Sequence, residues 1–563
     1  MEHISPNNQS FLDIILGVFR NYRKEILQIY GLGLLYAILS FIFPVSVQLL
    51  INFIQGAYYS VSLYMIISLA TIALIFAAIL QIHQFRIIEY IEQKLFHRYS
   101  FEFVRKFPLL DYISVMYKIP RDMANRFFDM VSIQKSVQKI LIDFSFTSIQ
   151  IVLGFIILIF YHPVFLGLLL IISLILYIAF KLTFYQGLDL GLRYSKYKYD
   201  ISFWIEEVSE DFIAYKLAGR TDHHFKTLDE LMNRYLKMKN GYYDILEQQY
   251  IVFNTIKIIS ILFFLIAGSV LVIEQKMNLG EFVASEIIIS LLISSFDKVI
   301  ILMRTIYELI VSYHKINEVL AEKEEDISST LNIVDNFDEG IEINFRNVTV
   351  KDQENKIILD DIDLHIKSNE KILIVGDDFN AKAAFLRLCT TLIRPSEGEI
   401  YFNRKPLISY NIQNLRYHIG SFLNHDYLFK GKIIDNITLG RPNTDLNFIL
   451  HMADKIDCIS TINRLPKGFD TEILSHGVNF SDTMVNKLLF LRAVCIQPKL
   501  LVFENLLYNN QDDDIETFLN IITDSANYHW TLICSSKNSK YKKYFDRVVY
   551  FKDGKIDLIE KIN

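Results

Sequence analysis

Gly376 to Ala383 reads Gly-Asp-Asp-Phe-Asn-Ala-Lys-Ala, directly after the apolar run Lys371–Val375 (KILIV) and ahead of a helical pattern over Ala381–Leu392. A buried strand, a loop and a helix in that order is where a phosphate-binding loop of pattern G-x-x-x-x-G-K-[ST] belongs. Glycines there let backbone N–H groups approach the phosphates, the lysine reaches the β/γ-phosphates, and the final hydroxyl holds Mg²⁺. Lys382 is in register for its part, with Gly376 and Asn380 upstream of it. The other positions depart from the pattern. Phe379 and Ala381 stand in place of glycines, Ala383 has no hydroxyl, and Asp377 and Asp378 put negative charge where an anion is to be received.

Further segments follow in a fixed order. Ile419–Phe429 (IGSFLNHDYLF) carries Asn424, and Ile433–Leu439 reads IIDNITL. Gly477–Ala493 (GVNFSDTMVNKLLFLRA) carries Ser481 followed by Asp482, Thr483 and Met484. Pro498–Asn505 (PKLLVFEN) is an apolar strand ending in Glu504 and Asn505. Thr531–Ser536 (TLICSS) is another buried strand, and Asp546–Ile556 (DRVVYFKDGKI) reads as a terminal hairpin. Together these resemble the nucleotide-binding domain of ABC transporters of the exporter type.

On that resemblance, Asn424 stands where the Q-loop glutamine is expected, and Ser481 alone survives from the core of the signature. Glu504 replaces the Walker B aspartate and would hold Mg²⁺ only weakly, through water. Asn505 occupies the general-base position, either Ser536 or Lys537 stands where the switch histidine is expected, and Asp352 takes the place of the adenine-stacking aromatic. An amide such as that of Asn505 accepts no proton from water near neutral pH, so no intact catalytic residue is expected. Each missing electrostatic contact costs about 2.7–4 kcal/mol of transition-state stabilisation. The resemblance implies ATP and Mg²⁺ as cofactors, and these departures put both in doubt.

The elements that position this domain begin in a bilayer. Between Glu25 and Arg86 there is no Lys, Arg, Asp or Glu. A span needs roughly 20 apolar residues, and six stretches meet that test: Ile26–Phe53, Val61–Phe85, Ile140–Tyr161, Val164–Tyr185, Ile251–Ile273 and Leu279–Met303. Short turns join spans one to two, three to four and five to six. The long connections 86–139 and 186–250 are basic, with Lys94, Arg98, Arg105, Arg193, Lys196 and Arg220 among their residues. The positive-inside rule therefore places them, and both termini, in the cytoplasm of a multi-pass inner-membrane protein. The expected organisation is an amphipathic segment 1–25, a six-helix transmembrane domain 26–321, an acidic linker 322–340 and an α/β P-loop NTPase-like ABC domain 341–563. With Met1 so near the first span, no peptidase-like domain is expected ahead of it.

Phe203–Arg220 resembles the second intracellular loop of ABC exporters, which ends in a coupling helix, and Leu271–Leu292 is similar to the sixth-helix region of peptide and protein exporters. Asp143 and Lys257, near the cytosolic ends of their spans, are expected to snorkel or pair. Glu286 lies deeper in the sixth span, and either lines a substrate path or has a paired structural role.

The chain has 563 residues, 52% of them hydrophobic, and a net charge of −6. So weak and mixed a charge argues against nucleic acid as a partner. The four cysteines, Cys389, Cys458, Cys495 and Cys534, lack metal or redox spacing and read as reduced, buried thiols. The resulting expectation is an exporter half-transporter with impaired ATP hydrolysis, carrying peptide, protein or lipophilic cargo and paired with a competent second ABC half. The alternative is a non-hydrolysing membrane scaffold or regulator that keeps the ABC fold as a binding surface.

Overall fold

The computed structural model describes residues 17, 19–56, 61–115, 120–327, 339–352, 354–424, 426–442, 444–504, 512–537 and 539–562. Asn505 and nearly all of the amphipathic N-terminal expectation lie outside them. The chain divides into two compact units, Met1–Leu110 with Lys118–Lys323, and Asp111–Tyr117 with Glu324–Asn563.

The first unit is helical. Its main elements are α1 (Arg23–Ser40), α2 (Ile42–Gln55), α3 (Val61–Lys106), α4 (Asp129–Lys139), α5 (Ser145–Tyr161), α6 (Val164–Glu210), α7 (His223–Ile273) and α8 (Leu279–Leu320). The first expected span is broken at Phe41, three residues before Pro44, whose ring and missing N–H disrupt the helical ladder. One π-helical turn, Ile140–Phe144, joins α4 to α5. A break at Asp211 precedes a short helix, Phe212–Leu217, in the region likened to a coupling helix.

Among the described residues, five helical segments are long and apolar enough to cross a membrane: Arg20–Gln55, Val61–Leu109, Asp122–Tyr161, Val164–Glu210 and His223–Ile273. Their most apolar windows have mean hydropathy of 2.1–2.7, yet only 12–28% of each window is buried. Apolar surface so exposed needs an apolar solvent, and a helix in lipid satisfies its own backbone. The sixth expected span forms as α8 but is not among the five.

Polar side-chain contacts tie helices of this unit together. Gln84 Nε2 donates to Ser145 Oγ at 2.9 Å, Ser295 Oγ donates to Gln150 Oε1 at 2.7 Å, and Lys257 pairs with Asp297 at 3.5 Å. The pairing expected of Lys257 is thus made between α7 and α8.

The second unit contains β1 (Ile343–Lys351), β2 (Ile357–Ile366), β3 (Lys371–Val375), β4 (Glu397–Phe402), β5 (Lys405–Pro406), β6 (Ile419–Phe422), β7 (Gly431–Lys432), β8 (Glu472–Ile473), β9 (Leu500–Phe503), β10 (Thr531–Ser536), β11 (Arg547–Lys552) and β12 (Lys555–Lys561). One sheet runs β2-β1-β4-β5, a second β12-β11-β3-β10-β9-β6, and β7 pairs with β8. In the larger sheet β11, β3, β10, β9 and β6 are mutually parallel, and only the β11–β12 hairpin is antiparallel. Every residue of β3, β9 and β10 is buried, as continuous apolar strands covered on both faces must be. The C-terminal ends of these parallel strands carry the candidate site, the place where ligands bind in open α/β sheets.

Candidate functional site

The strand, loop and helix assigned to phosphate binding all form, but the loop is short. β3 ends at Val375 and helix α9 spans Phe379–Cys389, so only Gly376, Asp377 and Asp378 connect them. The helix starts two residues earlier than the expected Ala381. Glycine costs about 1 kcal/mol more than alanine inside a helix, so glycines at 379 and 381 would hold that turn open, whereas Phe379 and Ala381 let it wind. Gly376 keeps a role of its own. It adopts φ +149°, and a Cβ there would clash with the Phe551 carbonyl oxygen.

Asp378 is the N-cap of α9. Its Oδ1 accepts from the Ala381 N–H at 3.0 Å and its Oδ2 from the Gly554 N–H at 2.9 Å. Its backbone carbonyl accepts from the Lys382 N–H at 3.2 Å. The positive end of the helix dipole, which favours a bound phosphate, is therefore covered by a carboxylate of the chain itself. The sequence shows the charge of Asp378; its capping role depends on where the helix starts.

Lys382 is 5% exposed and its Nζ donates to the Ser536 carbonyl at 3.1 Å. Burial pushes its ammonium below the ordinary lysine value, opposed by the nearby carboxylates of Asp377, Asp378 and Glu504. Ala383 is buried in the core of the domain. Register between β6 and β9 sets Phe422 opposite Phe503, which brings Asn424 to Glu504. Both donors of Asn424 serve that one carboxylate: the backbone N–H to Oε2 at 3.0 Å and the side-chain amide to Oε1 at 3.1 Å.

A cavity of about 960 Å³ is lined by Gly376, Lys382, Asn424, Asp482, Glu504 and Lys537, among others. Of the two candidates at the switch position, Lys537 lines this cavity, whereas Ser536 is buried and lends its carbonyl to Lys382. Ser481 caps the helix α10 (Asp482–Val494), its Oγ accepting from the Met484 N–H at 3.3 Å. Asn380 faces a different cavity of about 430 Å³, shared with Asp378, Asp352 and Tyr112. Asp352, expected in the adenine platform's place, closes a turn instead: its Oδ1 accepts from the N–H groups of Glu354 and Lys356 at 2.9 and 2.8 Å. Glu286, in the first unit, is exposed on α8, where Ser290 Oγ donates to it at 3.5 Å.

Residues 359–505 match the family model of the ABC transporter domain. The chain is 26% identical over 358 residues to the uncharacterised ABC transporter ATP-binding protein YfiB of Bacillus subtilis, covering 63% of this chain and 61% of that protein. It is 24% identical over 291 residues to the lactococcin-A transport/processing ATP-binding protein LcnC of Lactococcus lactis, covering 51% of this chain and 40% of that protein. The matches thus span about half the length of these relatives. A structure of a bacterial Atm1-family ABC exporter with ATP bound superposes with a TM-score of 0.81 at 17% identity, covering 96% of each chain. The fold is that of an ABC exporter, a helical membrane domain fused to an ABC-type domain.

Proposed function

We propose that this chain is a non-hydrolysing half of an ABC exporter in a cell membrane. It contributes six membrane-crossing helices and a largely passive ABC domain to a dimer with a second, catalytically competent half. The observation that carries this reading is the Asp378 carboxylate on the Ala381 N–H, at the N-terminus where a nucleotide phosphate would sit.

Three further arrangements support it. The Lys382 ammonium is turned to the Ser536 carbonyl, Glu504 is engaged by Asn424, and Ala383 offers Mg²⁺ no oxygen. A phosphate entering this site must displace the chain's own carboxylate, and must do so against like charge from Asp377 and Asp378. These residues do not fit a Mg²⁺–nucleotide, and at Asn505 the sequence also lacks a general base. In ABC pairs each ATP lies between one phosphate loop and the other chain's signature segment. The two defects of this chain, in its loop and at Asp482, therefore fall on both sites of a heterodimer.

Peptide or protein cargo is the substrate class this reading favours, because one relative is named for the transport of lactococcin A. Both termini lie in the cytoplasm by the basic charge of the long loops.

Nucleotide binding to the purified full-length chain tests the proposal, using a fluorescent ATP analogue with and without Mg²⁺. No Mg²⁺-dependent binding at millimolar nucleotide is expected. Saturable Mg²⁺-dependent binding, or steady ATP hydrolysis by the chain alone, would overturn it.

A further inference from the structure

At the ends of the charge-free stretch, a groove forms between α1 and α3. Lys24 and Glu25 come just before its first residue and Arg86 follows its last, and the two helices bring both cations to one cavity of about 400 Å³. Gln28, His83, Ile87 and Tyr90 complete its wall. Glu25, the one carboxylate lining it, is paired with Lys94 at 3.7 Å, and the Lys94 ammonium also lies 4.3 Å over the Tyr90 ring. Among the described residues neither Lys24 nor Arg86 has an ion-pair partner. The groove is therefore net cationic, with amide, imidazole and phenol donors beside the charges.

Its surroundings determine what it fits. On the membrane side of the two cations the same helices expose Leu27, Ile79, Ile82 and Phe85. A cationic, hydrogen-bonding rim above an exposed apolar strip has the polarity profile of a phospholipid at the cytosolic leaflet, where anionic headgroups attract basic side chains. Lysine and arginine at such depth keep their stems in the acyl region and their charges at the phosphate level.

We infer that this groove binds the phosphate of an anionic glycerophospholipid in the cytosolic leaflet, with Lys24 and Arg86 as its ligands. The site is independent of the nucleotide-site proposal and stands or falls apart from it.

The test compares thermal unfolding of the full-length chain in detergent with added phosphatidylglycerol, phosphatidylcholine or inorganic phosphate. Phosphatidylglycerol should raise the unfolding midpoint and the other two should not. The double variant Lys24→Gln/Arg86→Gln should bind phosphatidylglycerol weaker by about fivefold per cation removed. Lys181→Gln, an exposed cation elsewhere on α6, should leave binding unchanged. A photoactivatable phosphatidylglycerol should label the wild-type chain between His83 and Tyr90, a readout that needs no variant to fold. Equal shifts with both lipids, a shift with inorganic phosphate alone, full binding by the double variant or labelling only elsewhere would each overturn the assignment.

Discussion

Asn424 gives both its backbone N–H and its side-chain amide to the carboxylate of Glu504, at 3.0 and 3.1 Å. Glu504 is 5% exposed, so these bonds replace water that the carboxylate lost on burial. Hydrogen bonds to charged groups are worth about 1.5–3 kcal/mol, and Asn424→Ala removes one of them. The variant should unfold at a lower temperature than the wild type. Asn424→Asp, which sets a second carboxylate against Glu504, should be less stable still at pH 7. Thermal denaturation of the full chain reads the order, and an Asn424→Ala midpoint equal to wild type would refute it.

The phosphate loop offers a gain-of-function counterpart. Asp378→Ser together with Phe379→Gly, Ala381→Gly and Ala383→Thr removes the internal carboxylate, reopens the first helical turn and restores an oxygen for Mg²⁺. Mg²⁺-dependent binding of a fluorescent ATP analogue should then become measurable, improving by about tenfold or more, which corresponds to 1.4 kcal/mol. Binding as weak as that of the wild type would mean that the obstruction lies elsewhere than at Asp378. Asp378→Ala alone should cost about 0.5–2 kcal/mol of stability, as the loss of an N-cap does.

Lys382 predicts a pH dependence of definite sign. Burial lowers its pKa from 10.5 in the folded chain. As pH rises through the lowered value the folded chain loses this proton first, while the unfolded chain holds it until about 10.4. The unfolded state then binds more protons, so this group's contribution to stability rises with pH across that window, and its penalty is full below the window. Lys382→Met should flatten the rise in unfolding midpoint on the alkaline side. An unchanged slope would show that the ammonium carries no such penalty.

The order of elements was legible in the sequence because long apolar runs and buried strands are set by local composition. Lys371–Val375 and Thr531–Ser536 were read to the residue, and the apolar stretches became the long helices. What could not be read depended on placement. The capping role of Asp378 follows from a helix start that Phe379 and Ala381 shift by two residues, and the pattern of the motif points to the later start. The bond between Asn424 and Glu504 joins positions 80 residues apart and exists only because β6 pairs with β9 in one register. The resemblance puts Asp352 in the place of an aromatic, although an aspartate bonding the N–H groups two and four residues on is a local turn signal. The sixth helix shows the reverse limit: Glu281, Glu286, Asp297 and Lys298 fall within the expected span, which nonetheless forms part of one continuous helix.

That helix also allows a clean accessibility experiment. Glu286 is exposed on α8 and Ser290 and Ser294 are exposed on the same face, at successive i+4 spacings. A polar stripe facing lipid costs free energy, so its placement fits a water-filled path better than a lipid-facing surface. All four native cysteines are buried and lie in the second unit. Glu286→Cys therefore supplies the one accessible thiol among the described residues, and a membrane-impermeant maleimide should label it in the reconstituted exporter. Ile266→Cys on α7, 67% exposed in an apolar setting, serves as the lipid-facing control and should stay unlabelled. Labelling at 266 but not at 286 would place the stripe against protein or lipid and remove Glu286 from the path.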